Sequence, residues 1–243
     1  MRLDIAMPAV QRPLPFGLTL YSLCHHVLPE DNSRCRLVVN IDPVGPGTFA
    51  EMMAAIGGCF NWIEAHQPAG EPSLNRAVCW VWRRVQTPVF LHVEDDVEFL
   101  RPIDLQAMLA CMEREKDLAY LAIPRRGFRP GDITSNKALK HTWEKDSGYH
   151  ERTGQYAMSF GPGLMRTEFV KAAAALIQPT PDPEIQFHQH NLRLQTLASK
   201  WRYATWAKPD DPPAVRDTGR MVRLQCGWKK QVTEVDGTRW VKA

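Results

Sequence analysis

Long apolar runs, cysteine and net charge are all in short supply in this sequence. No stretch approaches the roughly 18 to 20 uninterrupted apolar residues needed to cross a bilayer. The first fifteen positions carry Asp4 and three prolines where a secretory leader would need an apolar segment. A cytoplasmic protein is therefore expected. Cysteine occurs six times in 243 residues, at 24, 35, 59, 79, 111 and 226, without CxxC spacing and mostly inside apolar stretches. That excludes a zinc ribbon or a disulfide-stapled scaffold and points to free thiols. With 44% hydrophobic and 23% charged residues, the chain can bury a core as one globular domain, or one domain with a small appendage, and disorder is not the default reading.

The net charge is only +3, but it is unevenly spread. From Arg193 to Lys230 nine Lys or Arg face Asp210, Asp211 and Asp217, a local excess of six. From Arg125 to Lys145 six face Asp132 and Glu144, an excess of four. Such clusters are either solvated faces or anion-binding surfaces.

What is present is an alternation of strand and helix patterns. Leu18 to Leu23 reads as a short β-rich run, and Arg36 to Ile41 (RLVVNI) as a buried strand ending at Asp42. A helix is expected from Thr48 to Ile56, stopped by Gly57-Gly58, then a strand from Phe60 to Ala65. Ser73 caps a helix to about Val85 with an apolar stripe of Leu74, Ala77, Val78, Val81 and Trp82. Val89 to Val93 (VFLHV) is a strongly apolar strand, Leu105 to Arg114 a helix, and Leu118 to Ile123 the next strand. Residues 125–153 break the pattern as a polar loop. Beyond it are expected a strand at Tyr156 to Phe160, a turn at Gly161-Pro162-Gly163, helices at Thr167 to Ile177 and Pro183 to Ser199, a strand at Tyr203 to Trp206, and a Pro-rich basic tail. Alternation of this kind implies an α/β fold with a mostly parallel central sheet flanked by helices.

The strongest chemical signal is Glu94-Asp95-Asp96, three carboxylates arriving where a buried strand leaves the core. Packing them side by side costs repulsion, which a hard Mg²⁺- or Mn²⁺-type cation relieves through oxygen ligands while completing its shell with substrate phosphates. The C-terminal edge of an open α/β sheet is where ligands bind. An ordinary acidic turn, with Asp104 capping the next helix, is the plain alternative.

The run SLNRAVCWVWRRVQTPVFLHVEDDVEFLRP (Ser73 to Pro102) resembles the donor-site core of GT-A glycosyltransferases, in which an Asn-containing helix precedes an apolar strand and a DxD-type motif. The resemblance implies a Rossmann-like single domain over 1–243, with a nucleotide-binding part over about 16–124 and an acceptor-side part over 125–243. It implies a sugar nucleotide, UDP-linked by family expectation, and Mn²⁺ or Mg²⁺ held by Asp96 first and Glu94 or Asp95 second. Glu94 stands where the family usually has Asp. Asp42, Asn75 and Arg76 fall where the family contacts the nucleotide, with Asp95 beside them. SFGPGLMRTEFV (Ser159 to Val170) resembles the segment bordering donor sugar and acceptor. VRDTGRMVR (Val215 to Arg223) resembles the C-terminal element in which many members place a His ligand, here Asp217, with Arg220 a cation for the nucleotide. The general base is expected just before a late helix, at Glu184 ahead of Asp182, although either can serve as a helix-start carboxylate.

His25-His26 and His188-Gln189-His190 have no convergent acidic or Cys partners in sequence and read as structural. For the acceptor, the basic regions carry interleaved aromatics: Phe128 and Trp143 in the first, Trp201, Tyr203, Trp206 and Trp228 in the second. Cations for phosphates beside rings for bases suggest DNA, with a hydroxymethylpyrimidine as the acceptor, resembling phage-type DNA glucosyltransferases. A surface glycan or lipopolysaccharide, a non-catalytic DNA-binding protein and a metal-dependent nucleotidyltransferase are the competing readings. No obligate protein partner and no membrane insertion are expected.

Overall fold

The structure, a computed structural model, describes residues 2–125, 140–144, 148–154, 157–208, 210–219, 228–233 and 237–242. It opens with β1 (Leu3–Val10), a strand absent from the sequence reading because Asp4 and Pro8 interrupt its apolar run. Both interruptions are accommodated. Arg36 of β2 (Cys35–Asp42) grips the Asp4 carboxylate through Nε at 3.0 Å and Nη2 at 2.6 Å, and the Gln86 and Thr87 amides donate to the same group. Burial alone would raise the Asp4 carboxyl; these donors hold it below its ordinary value. Pro8 lies past the end of the ladder between β1 and its neighbour at residues 89–92, which stops at Ala6 and His92, so its missing N–H costs no hydrogen bond there.

The segment read as a strand at Leu18 to Leu23 is instead part of helix α1 (Pro13–His26). Its buried residues, Phe16, Thr19, Leu20, Ser22 and Leu23, recur at three and four, and Pro13 suits a first helical position. Then follow α2 (Phe49–Gly57), opened by a Thr48–Glu51 capping box, β3 (Ile63–His66), α3 (Leu74–Arg84) capped by Ser73, β4 (Val89–His92), β5 (Val97–Phe99), α4 (Leu105–Arg114) capped by Asp104, and β6 (Leu118–Ala122).

Within the stretch read as a polar loop, β7 (Lys140–Glu144) and β8 (Tyr149–Thr153) form an antiparallel pair; 126–139 and 145–147 lie outside the described residues. The strand expected at Tyr156 to Phe160 is not there: Tyr156 lies outside the described residues and 157–160 are irregular. The strand is β9 (Gly163–Arg166), inserted between β4 and β6. Gly163 therefore opens a strand instead of closing a turn; a Cβ there would come within 2.5 Å of the Leu121 carbonyl oxygen and 2.7 Å of the Tyr120 ring. Helix α5 (Thr167–Ala174) ends short of Ile177. The single helix expected over Pro183 to Ser199 is two, α6 (Pro183–Gln186) and α7 (Leu192–Ala198), because His190 takes a left-handed φ of 66° and Asn191 caps a fresh start. The chain finishes with β10 (Arg202–Thr205) and, within the stretch read as a Pro-rich basic tail, β11 (Val215–Asp217) and a hairpin of β12 (Trp228–Thr233) and β13 (Gly237–Lys242).

Nine strands form one mixed sheet in the order β3-β2-β1-β4-β9-β6-β10-β8-β7. β3, β2, β1 and β4 are parallel, β6 and β10 are parallel to each other, and β9 and β8 run against them. Successive β1 side chains divide between two cores. Leu3, Ile5, Met7 and Ala9 join Phe16, Met52, Ile56 and Met108 from α1, α2 and α4. Ala6 joins Val78, Trp82, Phe169 and Leu194 from α3, α5 and α7 on the other face. The result is a helix–sheet–helix sandwich whose parallel strands deliver their C-terminal ends, and the residues that follow them, to one edge.

Candidate active site

β4 ends at His92, and the chain turns through Glu94, Asp95 and Asp96 into β5. The three carboxylates separate. Asp95 points inward, accepting the Val10 amide at 3.0 Å and Arg12 Nη2 at 3.0 Å. Burial, reinforced by the neighbouring Asp96 charge and opposed by Arg12, pushes its carboxyl up to about 6. Asp96 accepts the same Arg12 nitrogen at 3.0 Å, and its side chain keeps 19% of its surface exposed. Glu94 pairs with Arg125.

A clasp closes over Asp96. β11 pairs antiparallel with β5, setting Asp217 opposite Val97, and the Thr218 amide and hydroxyl donate to the Asp96 main-chain oxygen at 2.8 and 2.9 Å. Asp217 accepts the Gly219 amide at 2.9 Å. A Cβ on Gly219 would fall on Asp96 Oδ2, so only glycine admits this approach. Asp96, in the turn before β5, and Asp217, at the end of β11, thus both lie against one glycine.

At the next strand ends Asp42 is buried and accepts Asn40 Nδ2 and the Ser73 amide, each at 2.8 Å. Burial raises its carboxyl despite those donors and the nearby Arg76 and His66. His66 Nδ1 lies 2.7 Å from Asn40 Oδ1, and its ring stacks on Trp80 at 4.7 Å. Arg76 is exposed and bonds the Glu71 carbonyl. The Asn75 side-chain amide donates to the Gln178 and Pro181 carbonyls, both at 2.7 Å, and so anchors a loop.

That loop carries the two carboxylates considered for proton transfer, and the structure separates them. Asp182 is the N-cap of α6, its Oδ1 accepting the Glu184 amide at 3.0 Å. Glu184 instead lies in the electrostatic neighbourhood of Arg125, Arg152 and Tyr120. Arg152 is buried, donates to Ser159 Oγ at 3.2 Å and sits over the Tyr120 ring; the Tyr120 hydroxyl donates to the Gly161 carbonyl at 2.8 Å. Arg220 lies outside the described residues.

Among the described residues no three His, Cys, Asp or Glu side chains gather into a ready cage. The donor set nevertheless suits a hard divalent cation, since Asp96 and Asp217 present carboxylate oxygens on one clasp and such ions take one or two carboxylates with substrate phosphates supplying the rest. His25 and His26 close α1, far in sequence from these residues; buried His92 packs edge-on against Trp82 and Phe160, and burial holds it neutral, with its pKa pushed down to about 3. The sequence reading missed Arg12, Arg125 and Arg152. Arg12 was hidden because β1 itself went unread; Arg125 and Arg152 fell in the stretch taken for a loop.

The sequence matches no family model and no curated protein. Solved structures share its fold. TarS of S. aureus superposes with a TM-score of 0.59 at 13% identity over 90% of this chain and 37% of that one. Residues 1–349 of TarS in complex with UDP-GlcNAc give 0.56 at 14% identity, covering 88% and 58%. Mannosyltransferase PcManGT from Pyrobaculum calidifontis, in complex with GDP-Man and Mn²⁺, gives 0.56 at 10%, covering 86% and 55%. A CMP-2-keto-3-deoxy-manno-octonic acid synthetase complexed with CTP gives 0.51 at 12%, covering 93% and 97%. The chain spans less than two thirds of the TarS and mannosyltransferase chains. Its fold is the α/β fold of these GT-A-like enzymes.

Proposed function

We propose that this chain is a metal-dependent glycosyltransferase, moving a sugar from a nucleotide sugar, UDP-linked first, to an acceptor hydroxyl. The observation that carries the reading is the clasp at the end of β4, where Gly219 lies against the Asp96 side chain and donates its amide to Asp217, at the sheet edge that also ends in buried Asp42. In this reading Asp42 accepts from the nucleoside, with Arg76 beside it, while Asp96, Asp217 and Glu94 hold Mn²⁺ or Mg²⁺. Such a cation supplies positive charge to the diphosphate. Arg12 keeps Asp95 and Asp96 in place. Glu184 takes the proton of the acceptor hydroxyl as the bond from the anomeric carbon to the acceptor oxygen forms and that to the phosphate oxygen breaks.

For the acceptor, the uneven basic charge supports a phosphate-rich polymer, with hydroxymethylpyrimidine DNA first and a phosphorylated surface glycan or lipopolysaccharide as its rival. Release of nucleoside diphosphate from a panel of sugar nucleotides tests both levels. Release that requires metal and Asp96 and rises with hydroxymethylated DNA supports the whole reading, whereas stimulation by a glycan alone removes DNA. The likeness to a CTP-bound synthetase of nearly equal length favours a nucleotidyltransferase as the second reading. Appearance of pyrophosphate in place of nucleoside diphosphate would select it. A protein that binds DNA regardless of Mn²⁺ and acts on no donor would leave only the non-catalytic DNA-binding alternative.

A further inference from the structure

The Arg125 side chain stands where the three charged parts of the site meet. Its guanidinium pairs with Glu94 on the β4–β5 turn and feels the charges of Asp217 on β11 and Glu184 on α6. It lies over Gly161, close enough that a Cβ there would meet Nε, Cζ and Nη2 at 3.3 to 3.5 Å. Its root is held: the Pro124 carbonyl accepts the Ala214 and Val215 amides at 2.9 and 3.2 Å, and the Ile123 amide donates to Pro162 at 2.8 Å. A fixed backbone bearing a long side chain lets the guanidinium change partners while its position in the site is kept.

Resting on the donor-site reading above, we propose that Arg125 is an exchanging counter-ion: it holds Glu94 in the donor-free enzyme and passes to the diphosphate of the sugar nucleotide as Glu94 turns to the divalent cation. The electrostatics set opposite signs for its two relations. A guanidinium and a divalent cation compete for the same carboxylate, so Arg125 weakens metal binding when no nucleotide is present. A diphosphate accepts from both, and a guanidinium has five N–H donors arranged to meet phosphate oxygens in pairs. Once the nucleotide arrives, the competitor becomes a partner.

The test measures two affinities in Arg125→Met and Arg125→Lys beside the wild type: Mn²⁺ alone, followed by electron paramagnetic resonance of the free ion, and UDP, GDP, CDP and dTDP at saturating Mn²⁺, by calorimetry. Arg125→Met is expected to bind Mn²⁺ alone several-fold more tightly and the preferred nucleoside diphosphate roughly tenfold or more weakly. Arg125→Lys, which keeps the charge without the fork, moves both in the same directions by less, and carries the test if the Met variant does not fold. Affinities that fall together show a merely structural arginine and overturn the inference, as do affinities that do not move. If the wild type binds none of the four nucleotides, the donor-site reading falls and the inference with it; if the wild type binds and the variants match it, the inference alone falls.

Discussion

Asp42 shows what burying a single carboxyl group costs in stability. Its carboxyl is raised by burial, so in the folded chain it gives up its proton at higher pH than in the unfolded chain. Between the two values the folded state binds more protons, and stability from this group falls as pH rises from the unfolded carboxylate range through the raised folded value. Asp42→Asn removes that penalty and keeps an acceptor oxygen for Ser73, but sets an amide NH2 against Asn40 Nδ2. Its melting temperature is expected to gain on that of the wild type as pH rises from about 4 to neutral, and the variant is expected to bind nucleoside diphosphate more weakly. Thermal melts across pH with a nucleotide titration check both. Arg12 carries the opposite prediction. It is the cation contacting both Asp95 and Asp96, so Arg12→Met strands buried charge and is expected to cost about 3 to 5 kcal/mol in denaturant unfolding. The sequence announced the acidic turn, because three adjacent carboxylates after VFLHV are visible in one line. It could not announce Arg12, whose partners lie more than eighty positions away.

At the scale of elements, two short pieces hold the site's carboxylates. The β11 tip is one. Gly219→Ala would push a methyl onto Asp96 without disturbing either core, so donor turnover is expected to fall by roughly two orders of magnitude or more while the melting temperature changes little. The loop from Leu176 to Asn191 is the other. Fully buried Gln186 takes the Gln178 amide and the Asn191 side-chain amide on Oε1 and donates from Nε2 to the Gln178 and Pro181 carbonyls, the same oxygens that Asn75 uses. Gln186→Leu leaves several of these groups unsatisfied and is expected to destabilise the fold by about 2 to 4 kcal/mol, releasing Glu184 from its place. Equilibrium unfolding checks the first effect and the kcat of the folded fraction the second. Helices with a cap and an apolar stripe, such as Ser73 to Arg84, were legible because local chemistry decides them. The break between α6 and α7 was not, because this polar network and not periodicity sets it.

Across the whole molecule, the order of strand and helix was readable from β2 to β6 apart from the three-residue β5, since each other element there carries its own periodicity. β1 and β9 were not. Asp4 makes β1 look like surface until Arg36, two strand positions inside β2, is seen to reach it, and Gly163 looks like a turn until β6 is seen to pack on it. The buried Asp4–Arg36 pair also bonds the Arg84 carbonyl at the end of α3, joining β1, β2 and α3. Arg36→Met is accordingly expected to lower stability by about 3 to 5 kcal/mol, more than any exposed ion pair such as Arg84–Glu64; chemical denaturation of the two single variants compares them. The candidate site is a product of this assembly: its carboxylates come from the ends of β2, β4, β11 and the start of α6.

Anomalous diffraction from crystals grown with Mn²⁺ and a nucleoside diphosphate tests the central claim most directly. The account predicts a manganese peak against Asp96 and Asp217 at the end of β4, with the nucleoside against Asp42 and the diphosphate between them. A nucleotide bound elsewhere, or a metal that avoids Asp96 with the nucleotide in place, would contradict it.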